Sequence, residues 1–255
     1  MQITENTVAV VSGGASGLGG AVAQALAAAG AKVGIFDLNE ETGTAMAAKI
    51  GGTFAKVDVA DPVSVAEGFK TLRAAHGQEH IMVNCAGIAP ASKTVSKGAP
   101  HNAEMFAKVI TVNLIGTFNC ASQAAAGMVA AEALNADGER GVIINTASIA
   151  AFDGQVGQLA YAASKGGVVG MTLPMARDLM RDGVRVMTIA PGIFKTPMVA
   201  GLPQEVQDSL GAQVPFPSRL GDPDEFANLA RHIVENPMLN GEVIRLDGAI
   251  RMAPR

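Results

Sequence analysis

The feature that most constrains this chain is an alternation of two hydrophobic periods. Seven short apolar runs, Thr7–Ser12, Lys32–Asp37, Thr53–Val57, Ile81–Cys85, Gly141–Ala147, Val184–Ala190 and Glu242–Leu246, are separated by longer stretches of helical spacing. Near-continuous apolar runs suit parallel strands buried on both faces. Between them, residues such as Leu18, Val22, Leu26 and Ala29 recur on one helical face. The alternation predicts right-handed βαβ units, and hence an α/β doubly wound parallel sheet of about seven strands with helices on both faces. No linker or short-period repeat interrupts the pattern, so residues 1–255 read as one domain.

Composition narrows the function classes. The net charge is −4 and no Lys/Arg cluster is present, which argues against nucleic-acid or anionic-membrane partners. Charged residues make up only 16 % of the chain, against ~25 % in soluble domains. The low charge, with the Ala-rich face of a helix expected from about Ala103 to Leu134, is expected to reflect surface covered in an oligomer. Cys85 and Cys120 sit in apolar runs and read as buried thiols of a reducing compartment. The first residues carry no basic segment, and no apolar run is long and unbroken enough to span a bilayer. The expectation is a cytoplasmic protein, or the processed form of an organellar one. His76, His80, His101 and His232 show no metal-ligand spacing, so no metal is expected.

The first run leads into Ser12-Gly13-Gly14-Ala15-Ser16-Gly17-Leu18-Gly19 and then a helix. Glycines there permit a tight turn, bring backbone close to a pyrophosphate and open a helix N-terminus towards it. Asp37 closes the second run, where a carboxylate accepts hydrogen bonds from ribose hydroxyls and repels a 2′-phosphate. No Arg or Lys stands beside it to receive such a phosphate, which favours NAD over NADP. Asp58 and Val59 follow the third run, on the adenine side of such a site. Asn84-Cys85-Ala86-Gly87 ends the fourth run, at the expected crevice.

Chemistry concentrates after the fifth run. Ser148 follows it, and Tyr161, the one tyrosine of the chain, lies four residues before Lys165 on one helical face. A neighbouring ammonium favours the tyrosinate, which would make Tyr161 an acid/base for a hydroxyl/carbonyl pair, with Ser148 bonding the same oxygen. Asn113 interrupts an apolar helical pattern, Val109–Phe118. Beyond the sixth run, residues 194–220 carry four prolines and little strand pattern, as a substrate lid would. Asp222, Pro223 and Glu225 then restart a helix as N-cap, first residue and return acceptor.

Taken together, Ser12-Gly13-x-x-x-Gly17-x-Gly19, Asn84-x-Ala86-Gly87, Asn113, Ser148, Tyr161-x-x-x-Lys165 and Pro191-Gly192 resemble the short-chain dehydrogenases/reductases, over essentially the whole chain. Ser12 stands where that family usually has Thr, and Cys85 where it has a second Asn. The stretches around Cys85, Ala91-Ser92-Lys93, Gly141–Ser148, Gly154–Gln158, Gln213–Pro223 and Asn240–Met252 are similar to the type II 3-hydroxyacyl-CoA dehydrogenases. The resemblance implies a Rossmann-type fold, a homotetramer, and NAD-dependent interconversion of 3-hydroxyacyl-CoA and 3-oxoacyl-CoA. Alternatives are a 3-oxoacyl-carrier-protein reductase, an alcohol or hydroxysteroid dehydrogenase, or a non-catalytic scaffold.

The resemblance also implies roles. Tyr161 would be the general base, Lys165 would bind the nicotinamide ribose, Ser148 would orient the substrate oxygen, and Asn113 would hold a relay water. Gly13, Ser16, Gly17, Leu18, Gly19, Asp37, Asp58, Val59, Cys85, Ala86, Gly87, Pro191, Gly192, Phe194 and Thr196 would line the NAD site. Gln155 and Gln158 would lie beside the substrate, and a flexible lid would cover the acyl chain.

Overall fold

The computed structural model describes residues 1–254, with Met198 described by its backbone alone; Arg255 lies outside the described residues. Strands β1 (Val8–Ser12), β2 (Lys32–Asp37), β3 (Thr53–Lys56) and β4 (Ile81–Asn84) occupy the first four expected runs. A small antiparallel hairpin, β5 (Val95–Ser96) and β6 (Ala99–Pro100), stands apart from them. Strands β7 (Gly141–Thr146), β8 (Val184–Pro191) and β9 (Val243–Leu246) complete a parallel sheet of order β3-β2-β1-β4-β7-β8-β9. Helices α1 (Gly17–Ala28), α2 (Glu40–Ile50), α3 (Pro62–His76), α4 (Ala103–Ile110), α5 (Gly116–Ala130) and α6 (Leu159–Asp178) fill the crossovers. Short helices α7 (Pro197–Ala200) and α8 (Gln204–Ala212), then α9 (Pro223–Glu235), follow β8.

Alternation along each strand divides the core in two. Val11, Ile35 and Ile144 face Val22 and Leu26 of α1 and Phe226 and Ile233 of α9. Val10, Phe36 and Ile143 face Phe69 and Leu72 of α3 and Cys120 and Met128 of α5. Each fully buried large side chain contributes about 1.5–3 kcal/mol. Gly34 lets α3 sit close, because a Cβ there would run into the Leu72 side chain.

Strand order reverses between β1 and β4, so their carboxyl ends diverge into a crevice. A row of buried polar side chains crosses this edge in strand register. Ser12 Oγ donates to Asn84 Oδ1 (3.4 Å), and Asn84 Nδ2 donates to Asn145 Oδ1 (2.9 Å). The Ser12 hydroxyl also accepts from the Ala86 N–H (3.5 Å), so it braces the chain leaving β4 as a Thr hydroxyl would.

Two expectations need correction. The 103–134 stretch is not one continuous helix. A wider π-helical turn, Thr111–Ile115, separates α4 from α5, and α5 stops at Ala130, where Arg140 Nε takes the Ala131 carbonyl (2.9 Å). The 194–220 segment is not irregular, since α7 and α8 form within it. Its two ends are zipped together: Lys195 N–H donates to the Gly221 carbonyl and Gly221 N–H to the Ile193 carbonyl, both at 2.9 Å.

The restart of α9 forms as the sequence implies. Asp222 accepts from the Asp224 N–H (3.2 Å), and Glu225 accepts back from the Asp222 N–H (2.8 Å), closing a capping box. Arg219 grips Glu225 with two bonds (2.7 and 2.9 Å), which together with the Asp222 N–H holds its carboxyl at about 2. A folded-state pKa below the ordinary ~4.3 stabilises the fold above the ordinary range. That contribution is lost as pH falls towards about 2. Asp222→Ala is expected to cost about 1 kcal/mol in urea unfolding at pH 7. Glu225→Gln is expected to flatten the fall in stability over that acid range.

Candidate active site

The cleft above the sheet's carboxyl edge has a volume of ≈ 660 Å³. One wall is the glycine turn. Gly13 (φ 64°) approaches the β4 exit so closely that a Cβ would come within 2.7 Å of the Ala86 nitrogen. Gly17 (φ 56°) opens α1 into the cleft. The first turn of α1 carries no acidic residue, and its N-cap residue, Ser16, makes no side-chain cap bond. By contrast α2, α3, α4 and α9 are each capped by an Asn or Asp side chain. The free N–H groups of α1 and its dipole therefore face the cleft and favour an anionic group there.

Asp37 stands at the end of β2 beside this turn. Its carboxylate accepts from the Ala15 N–H (3.2 Å) and the Asn39 N–H (3.1 Å). Asp58 is likewise held, accepting from the Ala60 N–H (2.9 Å). Ser16, Leu18, Gly19, Val59, Cys85, Ala86, Gly87, Pro191, Gly192, Phe194 and Thr196 all line the same cleft. The Phe194 ring packs edge-on against Phe226 (6.4 Å) beneath the wall. Lining residues that the motifs do not mark include Thr146, Lys108 and Val112.

The opposite wall carries Ser148, Tyr161 and Lys165. Lys165 is buried and donates to the Thr146 carbonyl (2.7 Å), which fixes α6 to the end of β7. Burial pushes its ammonium down to about 8. Ser148 Oγ accepts from the Ala150 N–H (3.1 Å), leaving its own hydrogen to donate. The expected depression of the Tyr161 phenol by Lys165 does not hold in the free protein. Burial raises the phenol above its ordinary value, and the Ser148 hydroxyl opposes this without overcoming it. Lys165 Nζ lies 5.8 Å from the Tyr161 ring centre and spends its bond on Thr146.

Asn113 lies behind this wall, fully buried in the π-helical turn. Its Oδ1 accepts from the Ile88 N–H and its Nδ2 donates to the Ile88 carbonyl, both at 2.8 Å. Nδ2 also donates to Ser164 Oγ (3.0 Å), and Ser164 in turn donates to the Tyr161 carbonyl (2.7 Å). Both amide hydrogens of Asn113 and one acceptor site of its oxygen thus tie the β4 exit to α6. The role of Ser164 is legible only as a polar residue inside Tyr161-x-x-x-Lys165, once burial is known.

Gln155 and Gln158 do not line the cleft. Gln158 Oε1 accepts from the Gln155 N–H (2.9 Å), and the Gln155 amide donates to the Ala253 carbonyl (2.8 Å). Gln158 shapes the loop, and Gln155 docks it on the C-terminal segment.

Cys85 is half-buried in the cleft lining, not fully buried as expected; it receives a bond from Thr146 Oγ1 (3.4 Å), yet desolvation pushes its thiol up to about 11. Burial takes Cys120 to about 12. Thiols so placed are poor nucleophiles. Native protein at pH 8 is therefore expected to resist iodoacetamide at both cysteines, with mass spectrometry showing Cys85 labelled only as pH approaches 11. Rapid labelling of Cys85 at pH 8 would contradict this environment.

Comparison with known proteins shows the family. Residues 7–207 match the family model for short chain dehydrogenases. The chain is 55 % identical over 251 residues to a human 3-hydroxyacyl-CoA dehydrogenase type-2, spanning 97 % of this chain and 96 % of that protein. It is 51 % identical over 254 residues to the Drosophila melanogaster 3-hydroxyacyl-CoA dehydrogenase type-2, spanning 98 % and 99 %. A crystal structure of 3-hydroxyacyl-CoA dehydrogenase type-2 from Mycobacterium avium superposes with a TM-score of 0.94 at 42 % identity, covering 100 % of both chains. With its Rossmann-like parallel sheet and this match over most of its length, the chain belongs to the short-chain dehydrogenase family of oxidoreductases.

Proposed function

We propose that the protein interconverts a 3-hydroxyacyl-CoA and the corresponding 3-oxoacyl-CoA with NAD as cofactor. The observation that carries the reading is the meeting of Ser148, Tyr161 and Lys165 on one wall of a cleft whose other wall holds the uncapped α1 and Asp37. Relatives named for this reaction over nearly their full length support the substrate class.

The residues present fit a dinucleotide. The N-terminus of α1 offers unpaired N–H groups for a pyrophosphate, and Asp37 offers carboxylate oxygens for ribose hydroxyls. The cationic lining residues are Lys108 and Lys165, and neither lies at the Asp37 end of β2 in the sequence. A 2′-phosphate there would meet a carboxylate with no counter-charge, which favours NAD over NADP. When bound, NAD(H) supplies or accepts the hydride, and the positive charge of its oxidised ring favours the tyrosinate.

The chain's own groups handle the proton. The Tyr161 phenol, kept neutral by burial, is the acid that protonates the substrate oxygen during reduction. Ser148, its acceptor side already committed to Ala150, donates to the same oxygen. The Thr146 carbonyl holds the Lys165 ammonium by one hydrogen, leaving two to donate beside Tyr161. Asn113 and Ser164 hold the backbone of Tyr161 from behind. Residues 194–220, with zipped roots and helices α7 and α8, form the lid of a single catalytic domain. Among the described residues no helix is long and apolar enough to cross a membrane. Exposed Ile115, Phe118, Leu159 and Leu173 on and beside α5 and α6 support a homotetramer, and two free cysteines fit a reducing compartment, the cytoplasm or an organelle.

Loss of NADH absorbance on adding acetoacetyl-CoA tests the activity. Tyr161→Phe is expected to lose at least about 10³-fold in kcat, within the range of general acid catalysis, while NADH binding by fluorescence survives. Wild-type protein is expected to prefer NADH over NADPH, and Asp37→Ala to narrow that preference. Appreciable turnover by Tyr161→Phe, or equal use of both cofactors by the wild type, would contradict these roles.

A further inference from the structure

Beyond the catalytic wall, one side chain gathers more of the structure than any motif announces. Arg245, on β9, donates through Nε to Asp247 (2.7 Å) and through Nη2 to Asp153 (2.6 Å) and to the Ile250 carbonyl (3.0 Å). Its guanidinium also lies over the Phe152 ring, 5.2 Å from the centre. Asp153 and Phe152 begin the loop that follows Ser148, whereas Asp247 and Ile250 belong to the segment after β9. The planar fork of an arginine suits such convergent bonding, and a lysine would not reproduce it.

Each joined segment reaches the active site by a short path. Ile149, next to Ser148, packs with Ile250 and with Val214 of the 194–220 segment. Further along the same loop, Gln155 grips the Ala253 carbonyl and the Val156 N–H donates to the Pro254 carbonyl (3.0 Å). The Phe216 N–H donates to the Gly248 carbonyl (3.2 Å), which joins the lid to the turn that Asp247 organises. In that turn Ala249 sits at φ 69°, a conformation disfavoured for a residue with a Cβ, and its N–H is held by Asp247 (2.9 Å). A strained turn of this kind persists when its surroundings over-determine it.

We propose that Arg245 is a positioning residue for the acyl substrate: its bonds to Asp153, Asp247 and Ile250 hold the Ser148-side loop, the C-terminal segment and the lid in one arrangement. Arg245 touches none of the reacting groups. It acts on the substrate half of the cleft, because the segments it joins are distinct from the glycine turn and Asp37. The inference rests on the acyl-CoA reading for its kinetic consequence and on the geometry alone for its structural one.

Two readouts on Arg245→Met and Asp153→Asn test it, with Arg245→Lys as the conservative variant. Hydrogen exchange by mass spectrometry is expected to rise in residues 152–158 and 248–254 and to stay at the wild-type level in residues 13–19. In steady-state kinetics with acetoacetyl-CoA, Arg245→Met is expected to lose roughly 10- to 100-fold in kcat/KM, the scale of a small misplacement, with NADH affinity unchanged. Arg245→Lys should recover only part of this, and Asp153→Asn should show a smaller change of the same kind. Because Asp153 lies on a surface loop, that variant decides the matter if Arg245→Met does not fold. Unchanged exchange in 152–158, or NADH affinity falling in parallel with kcat/KM, would overturn the proposal. Absence of turnover by the wild type would instead count against the substrate reading, and exchange would still decide the role of Arg245.

Discussion

The bond from the Lys165 ammonium to the Thr146 carbonyl organises the molecule's working edge. It crosses from the second turn of α6 to the last residue of β7 at 2.7 Å, out of contact with solvent. Taking an ammonium out of water costs several kcal/mol, and one carbonyl returns only part of that. The cost shows in the lowered pKa of Lys165, about 8. The fold sustains it through a double-sided core of Val, Ile, Phe and Leu. Because Thr146 lies two residues before Ser148, and Lys165 four after Tyr161, one bond sets the relative placement of all three groups. Gly167 lets α6 approach the preceding helical layer, since a Cβ there would meet Leu114 at 2.7 Å.

Around that bond the cleft divides its labour. The side nearest β1 and β2 is backbone-rich, with a turn that only glycine fits, an uncapped helix and a carboxylate oriented by two N–H groups. The polar row Ser12–Asn84–Asn145 stiffens it from below. The far side is shaped by side chains drawn from distant parts of the chain, with Arg245 at their junction. Asn113 connects the two halves, reaching Ile88 on one and Ser164 on the other.

Much of this is legible in the sequence, for identifiable reasons. Strands buried on both faces write themselves as near-continuous apolar runs, and all seven runs form strands, with the edge strands β3 and β9 only partly buried. Asp222, Pro223 and Glu225 announce a capping box by local chemistry, and it closes. Tyr161 and Lys165 share a face by helical spacing alone. What is missing depends on partners far away in the chain. The turn that splits α4 from α5 coincides with the bonds of Asn113 to Ile88. The ionisation of Tyr161 turns on burial, which spacing does not report, and burial outweighs the opposing bond from Ser148. The bond of Gln155 to the Ala253 carbonyl joins residues 98 positions apart, which no local pattern announces.

The proposed chemistry is a direct hydride transfer to an acyl carbonyl over the Ser148–Tyr161–Lys165 wall. The most direct test follows the hydrogen. Acetoacetyl-CoA would be reduced with NADH carrying deuterium at the transferable C4 position, and the product read by mass spectrometry and NMR. One deuterium, bound at C3 of 3-hydroxybutyryl-CoA, is the expected result. A product with no deuterium at C3, or no hydroxyacyl product at all, would contradict it.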